Sequence, residues 1–141
     1  MNWTIRAMTE ADYGVVRALW ERTEGVGLNE SDTPEMVGSF LRRNAGLSVV
    51  AEDGEGRIGG AVLCGHDGRR GYLHHLAVEQ AWRRQGIGKG LVTQCLSRLK
   101  GEGIAKCNLF LYANNAAGEM FWLGNGWKVR GDLKMVQKDV R

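Results

Sequence analysis

Two hydrophobic periods alternate along the chain, and the switches between them mark out its elements. Trp3 and Ile5 alternate with Thr4 and Arg6, the period of a short strand with one buried face. Thr9 followed by Asp12 has capping-box spacing, and Val15, Val16, Leu19 and Trp20 recur at helical spacing, so a helix is predicted from residue 9 to about 22. Residues 24–32 carry no period and read as a loop. Thr33-Pro34 pairs a capping residue with a proline suited to the first helical position. The helix it opens has Met36, Val37, Phe40 and Leu41 as its apolar face, and Gly46 suits its end.

Beyond that point the period shortens to two. Residues 47–52 and 58–65 flank the turn Asp53-Gly54-Glu55-Gly56, and Asp67-Gly68 turns into a further strand over 71–78. An amphipathic helix runs to about residue 100, with Ile87, Leu91, Val92, Cys95, Leu96 and Leu99 inward. Residues 104–112 predict a strand and 115–124 a short helix. Residues 127–140 predict a last strand pair turning at Gly131-Asp132. The order β-α-α-β-β-β-α-β-α-β-β is that of a mixed α/β (α+β) fold, with about seven strands and four helices. Consecutive hairpins make the sheet mostly antiparallel. No linker, repeat or low-complexity stretch interrupts residues 1–141, which read as one domain.

Composition changes this picture in one respect. Glycine supplies 21 of 141 residues, about twice its usual share, so the backbone repeatedly needs left-handed conformations or close approach. Lys and Arg number 19 against 16 Asp and Glu, a net +3, too mild for a nucleic-acid-binding arm but compatible with a local anion site. Cys64, Cys95 and Cys107 lie far apart, without metal-ligand spacing, and read as reduced core thiols. The start Met1-Asn2-Trp3-Thr4-Ile5-Arg6 lacks a signal-peptide core, and no apolar run approaches the length of a membrane span. A cytoplasmic protein with neither nucleic acid nor membrane as partner, and no metal, is expected.

The segment Ala81-Trp82-Arg83-Arg84-Gln85-Gly86-Ile87-Gly88-Lys89-Gly90-Leu91 lies between a predicted strand and a helix. A helix start presents free N–H groups and partial positive charge, glycines let an anion reach them, and three cations add to the field. These are the parts of a pyrophosphate cradle. Gly86, Gly88 and Gly90 do not give the G-x-G-x-x-G of dinucleotide folds. A P-loop would need a glycine where Arg83 stands and Ser or Thr where Gly90 stands, which disfavours a nucleotide-binding regulator.

Arg83-x-x-Gly86-x-Gly88 does resemble the [QR]-x-x-G-x-[GA] loop of the GNAT superfamily of N-acetyltransferases. His75-Leu76-Ala77-Val78 before the loop, and Asn115-x-x-Gly118, Phe121-Trp122 and Gly126-Trp127 after it, are similar to the family's fourth strand and its C-terminal signature. The resemblance spans essentially the whole chain. It implies a GNAT-like twisted sheet whose middle strands splay, with acetyl-CoA as co-substrate. The backbone of Leu76, Ala77 and Val78 would bond the pantetheine. Arg83, Arg84, Gln85, Gly86, Ile87, Gly88, Lys89 and Gly90 would hold the pyrophosphate, and Asn115, Gly118 and Trp122 would line the other side of the arm.

The reaction implied is direct attack of a primary amine on the thioester, the acceptor being a small amine or amino acid, or a protein N-terminus or lysine. Where the family usually carries a tyrosine acid this chain has Trp122, whose N–H is no acid near neutral pH. Tyr112 is the candidate substitute. That same departure motivates a second reading, a non-catalytic acyl-CoA-binding module. His74, His75 and Glu79 are the candidate bases by position, His75 and Glu79 being the ones assigned to the site. Strict alternation lets only one of His74 and His75 face the cleft. Glu30 and Asp32 are candidates to meet a cationic acceptor. The resemblance is also compatible with a homodimer.

Overall fold

Five strands pair in chain order. In the computed structural model, which describes residues 1–140, Met1–Phe110 forms one compact unit and the chain from Leu111 a second. In the first unit, β1 (Trp3–Ala7), β2 (Val49–Asp53), β3 (Ile58–His66) and β4 (Gly71–Val78) are successively antiparallel. β5 (Cys107–Leu109) joins β4 in parallel, Gly71 facing Cys107 and Leu73 facing Leu109. The parallel step follows from the intervening helix α3 (Ile87–Gly101), which carries the chain back to the starting edge.

Helices cover both faces of the sheet. α1 (Tyr13–Glu21) and α2 (Pro34–Arg43) bury Val16, Leu19, Trp20, Val37 and Leu41 against Val50, Ala61, Leu63 and Ala77. α3 lies on the other face, so close that a Cβ at Gly60 would sit 3.1 Å from both Ile87 and Leu91. Glycine in mid-strand is here a packing requirement. At Gly38 a Cβ would meet only the mobile ends of the exposed Glu10 and Arg42 side chains, so no such requirement holds there.

The predicted caps form. Asp12 Oδ2 accepts the Thr9 N–H at 2.8 Å, opening α1 through a single 3-10 turn, Glu10–Asp12. Thr33 Oγ1 accepts the Met36 N–H at 3.2 Å, with Pro34 first in α2. The apolar faces are narrower than predicted: Val15, Met36 and Leu96 are exposed. Val15 stands about 100° around the helix from Val16, and only the Val16–Leu19–Trp20 edge meets the sheet.

Among the described residues the sheet has five strands, not about seven. The strand predicted over 104–112 shortens to Cys107–Leu109, and residues 127–140 form no ladder. Gly131-Asp132 does turn, fastened by Arg130 to Asp132 at 2.8 and 2.9 Å, but Val129, Leu133, Met135, Val136 and Val140 are exposed. Alternation alone does not make a strand without a partner and a buried face.

One carboxylate ties β1 to α1. Arg6 forks onto both oxygens of Asp12 at 2.8 and 2.9 Å, holding that carboxyl below its usual range. A depressed folded-state value means the pair stabilises above the ordinary carboxylate value of about 3.9 and is lost as pH falls through the lower folded value. Asp12→Asn therefore costs about 2 kcal/mol at pH 7, and the deficit shrinks toward pH 3. Urea midpoints of the two proteins at both pH values check this.

Candidate active site

The site begins with an irregularity in β4. Ala61 pairs with Ala77 and Leu63 with His74, so two steps along β3 face three along β4. The extra residue forms a β-bulge at His75-Leu76, and His75 takes a φ of +56°, a costly conformation for a side chain of its size. His74, across from Leu63, faces α1 and α2. The bulge re-aims His75 to that same face, where its ring meets Trp20 edge-on at 5.0 Å. The expectation that only one histidine could face this side is corrected: both do. His74 packs against Phe40 and stacks on Tyr72, at 5.9 and 6.4 Å. Burial, then the neighbouring His75, holds its ring below the ordinary imidazole value.

His75 has a carboxylate partner that no local pattern revealed. Its Nε2 lies 2.9 Å from Oδ1 of Asp32, 43 residues earlier. The predicted loop contains a 3-10 turn, Glu30–Asp32, capped by Asn29. Asp32 Oδ2 accepts the Asn29 N–H at 3.0 Å, and its side chain is 6% exposed. Both carboxylate oxygens therefore already have protein partners. The Asp32 carbonyl accepts from Tyr13 Oη at 2.5 Å and Arg17 Nη1 at 3.0 Å, which moors the turn to α1. Glu30 is exposed.

Glu79, the other candidate base, is occupied. Arg22 at the end of α1 donates to it through Nε, at 3.1 Å, and through Nη2. Arg22 holds the Glu79 carboxyl below its usual range, which makes it a weaker proton acceptor.

Downstream, β5 pairs with β4 only as far as Leu73. From His74 to Val78 the edge of β4 has no parallel ladder partner among the described residues. That edge runs into a 3-10 turn, Gln80–Trp82, which nests in the space left by Gly59, where a Cβ would overlap the Trp82 ring. Arg84 and Gly86 then take φ values of +64° and +78°, and α3 starts at once. The first ladder bond of α3 is Gly90 N–H to the Gly86 carbonyl at 2.9 Å, so the amides of Ile87, Gly88 and Lys89 stand free of the helix ladder. Exposed Arg83, Arg84 and Lys89 surround them, and Arg83 Nε donates to the Val78 carbonyl at 3.1 Å. The left-handed residues and bare amides form a concavity of a kind suited to an anion. A cavity of about 180 Å³ beside it, lined by Leu19, Arg22, Val78, Glu79 and Arg83, is too small to enclose a drug-sized ligand.

The remaining sequence candidates stand in the second unit. Asn115 Oδ1 accepts the Gly118 N–H at 2.9 Å and caps α4 (Ala116–Gly124), and a Cβ at Gly118 would lie 2.5 Å from the Asn115 amide. The Asn-x-x-Gly spacing is thus a cap with the room it needs. Trp122 packs edge-on to Phe121 and Trp127 at 5.1 and 5.0 Å, and Tyr112 is exposed. Two cysteines are disfavoured as thiolates: Cys64 is pushed up by its hydrogen bond with Cys95 and by burial, and Cys107 is pushed up to about 12 by burial. Among the described residues no three His, Cys, Asp or Glu side chains converge on a metal site, and no helix is long and apolar enough to cross a membrane.

Comparison with known proteins settles the family. The sequence pattern of the acetyltransferase (GNAT) family matches residues 13–124. The chain belongs to the GNAT family. It is therefore an acyltransferase, and its curated relatives carry the same description. An acetyltransferase of Pectobacterium atrosepticum is 33% identical over 114 residues, 80% of this chain and 79% of that one. An acetyltransferase of Yersinia pseudotuberculosis is 32% identical over the same shares. Among solved structures, Ard1 from Thermoplasma volcanium superposes with a TM-score of 0.81 at 18% identity, over 92% of this chain and 85% of that one. The PaiA N-acetyltransferase from Thermoplasma acidophilum, in complex with coenzyme A, gives 0.78 at 21% identity over 92% of each. These likenesses establish the open, mixed GNAT sheet with its four helices.

Proposed function

We propose that this GNAT protein transfers an acetyl group from acetyl-CoA to a primary amine by direct attack within a ternary complex. The observation that carries the proposal is the unladdered edge of β4 running without a break into the left-handed, cation-flanked start of α3. An extended arm with amide groups can add to such an edge as a strand would. A diphosphate suits the amides of Ile87, Gly88 and Lys89 and the side chains of Arg83, Arg84 and Lys89. A thioester amide arm ending in a diphosphate has both parts in that order. Occupation would require Arg83 to release the Val78 carbonyl, freeing its guanidinium for phosphate.

In the reaction the neutral amine nitrogen attacks the thioester carbonyl carbon, the C–S bond breaks as CoA leaves as thiolate, and the nitrogen, cationic after attack, gives its second proton to solvent to leave the neutral amide. The attacking ammonium must first lose a proton, and His75 takes it. The thiols of Cys64 and Cys107, pushed up by burial, and the full burial of Cys95 favour direct transfer over an acetyl-cysteine route. From the resemblance the proposal also carries Tyr112 as proton donor to the thiolate and Asn115, Gly118 and Trp122 as neighbours of the arm. Glu79 serves as a clasp for Arg22. Glu79→Gln accordingly changes turnover by no more than about fivefold, the worth of an exposed ion pair.

Thiol release from acetyl-CoA, followed with a disulfide dye across a panel of amines, amino acids and peptides, tests the assignment. Amine-dependent release above hydrolysis supports it. Calorimetric binding of CoA with no amine-dependent release would instead establish the second reading, a non-catalytic acyl-CoA-binding module, which the packing of Trp122 at the tyrosine position favours.

A further inference from the structure

Resting on the acetyl-transfer reading, we propose that Asp32 is a positioning residue that fixes the tautomer and orientation of His75 and leaves Nδ1 as the atom that takes the proton. An ionised carboxylate only accepts, so the ring nitrogen 2.9 Å from Asp32 Oδ1 is the one carrying hydrogen. The lone pair of the neutral ring is then on Nδ1. That atom has no protein partner among the described residues, yet it is not among the side-chain atoms sealed from solvent without a partner.

The carboxylate is itself immobile. Asn29 holds its second oxygen, and Tyr13 and Arg17 hold the carbonyl of the same residue. Trp20 fixes the plane of the imidazole from the side, and the bulge fixes its backbone. When Nδ1 accepts the proton from the acceptor's ammonium, the imidazolium is formed against a negative charge already in place. Such a partner both selects the tautomer and stabilises the cation. The proton then passes from Nδ1 to solvent, and Asp32 stays ionised throughout. Engaged in this way, Asp32 is not the group that meets a cationic acceptor.

Asp32→Asn tests the arrangement, because the amide can donate to Nε2 and hold the ring in the opposite tautomer. On the full chain labelled with [15N]histidine, long-range ring correlations in the absence of any acceptor should show Nε2–H for His75 in the wild type and Nδ1–H in the variant. With the amine that gives the fastest thiol release in the panel, kcat should fall about 10²–10⁴-fold, the range for a positioned proton-transfer group. KM for acetyl-CoA should stay within about twofold. Should Asp32→Asn fail to fold, Asp32→Glu carries the test, and retention of Nε2–H with most of the turnover is expected.

Nδ1–H in the wild type, or an unchanged tautomer and kcat in Asp32→Asn, overturns the proposal. Loss of the tautomer in Asp32→Glu does the same. Full turnover in His75→Gln removes the base and with it the positioning role. In that case an intact Nε2–H signal, read without acceptor, shows that the contact exists and that the catalytic reading has failed.

Discussion

Replacing His75 by Gln lowers acetyl-transfer turnover about 10²–10³-fold, while acetyl-CoA affinity stays within about twofold. Gln is the informative choice because its amide can still donate to Asp32, so the buried carboxylate keeps a partner and the fold is spared an orphaned charge. What Gln cannot do is accept and hold a proton. The deficit should therefore depend on pH in a defined direction. An alkyl ammonium of ordinary pKa, about 10, is nearly all protonated at neutral pH, and a base is most needed there. As pH rises toward 10 free amine accumulates and the variant approaches the wild type. Thiol-release rates of both proteins from pH 6.5 to 9.5 check this, and a constant ratio across the range would assign His75 a role other than proton removal.

Gly86→Val weakens CoA binding about 10- to 100-fold, the second large effect. Nothing lies within 4 Å of a Cβ built on Gly86, so the new side chain meets no obstacle. Its cost is conformational: at φ +78° a β-branched residue is strained by about 1–2 kcal/mol, and the backbone relieves the strain by leaving the left-handed region. Relief turns the amides of Ile87 and Gly88 away from the concavity. α3 itself persists, because Ile87, Leu91, Cys95 and Leu99 anchor it to the sheet. The expected signature is a large change in the calorimetric dissociation constant for CoA beside a modest fall in urea midpoint. Gly86→Asn, which tolerates the left-handed region, should recover most of the affinity.

The parts of this protein that were legible in its sequence are those set by short-range rules. Thr9, Asp12, Thr33 and Pro34 cap helices where predicted, and the Asp53-Gly54 and Asp67-Gly68 turns separate strands that pair as hairpins. The junction from the glycine-rich loop to α3 was legible too, since Gly86 takes the left-handed conformation its residue type allows and the helix starts at the next residue. Features created by tertiary contact were not. Nothing around His75 announces an extra residue in β4, because a bulge is a mismatch between two strands and neither strand carries it alone. Asp32 read only as a candidate to meet a cationic acceptor, because its partner lies 43 residues away on another element. Residues 127–140 carry a strand-like alternation but have no ladder among the described residues, and pattern cannot substitute for pairing.

The bulge has a consequence for how this chain can change. A pleated strand has a phase, and every residue beyond an insertion is half a wavelength out of step with what came before. The extra residue at His75-Leu76 sets the phase in which Ala77 and Val78 reach the end of β4 and in which the anion loop departs. Deleting one residue there would restore a regular ladder, yet it would also invert the loop relative to Gly59, Gly60 and the start of α3. The His75 ring and the glycine-rich start of α3 are thus geared to one another through a single backbone irregularity. Sequence drift in this region should accept substitutions far more readily than changes in length.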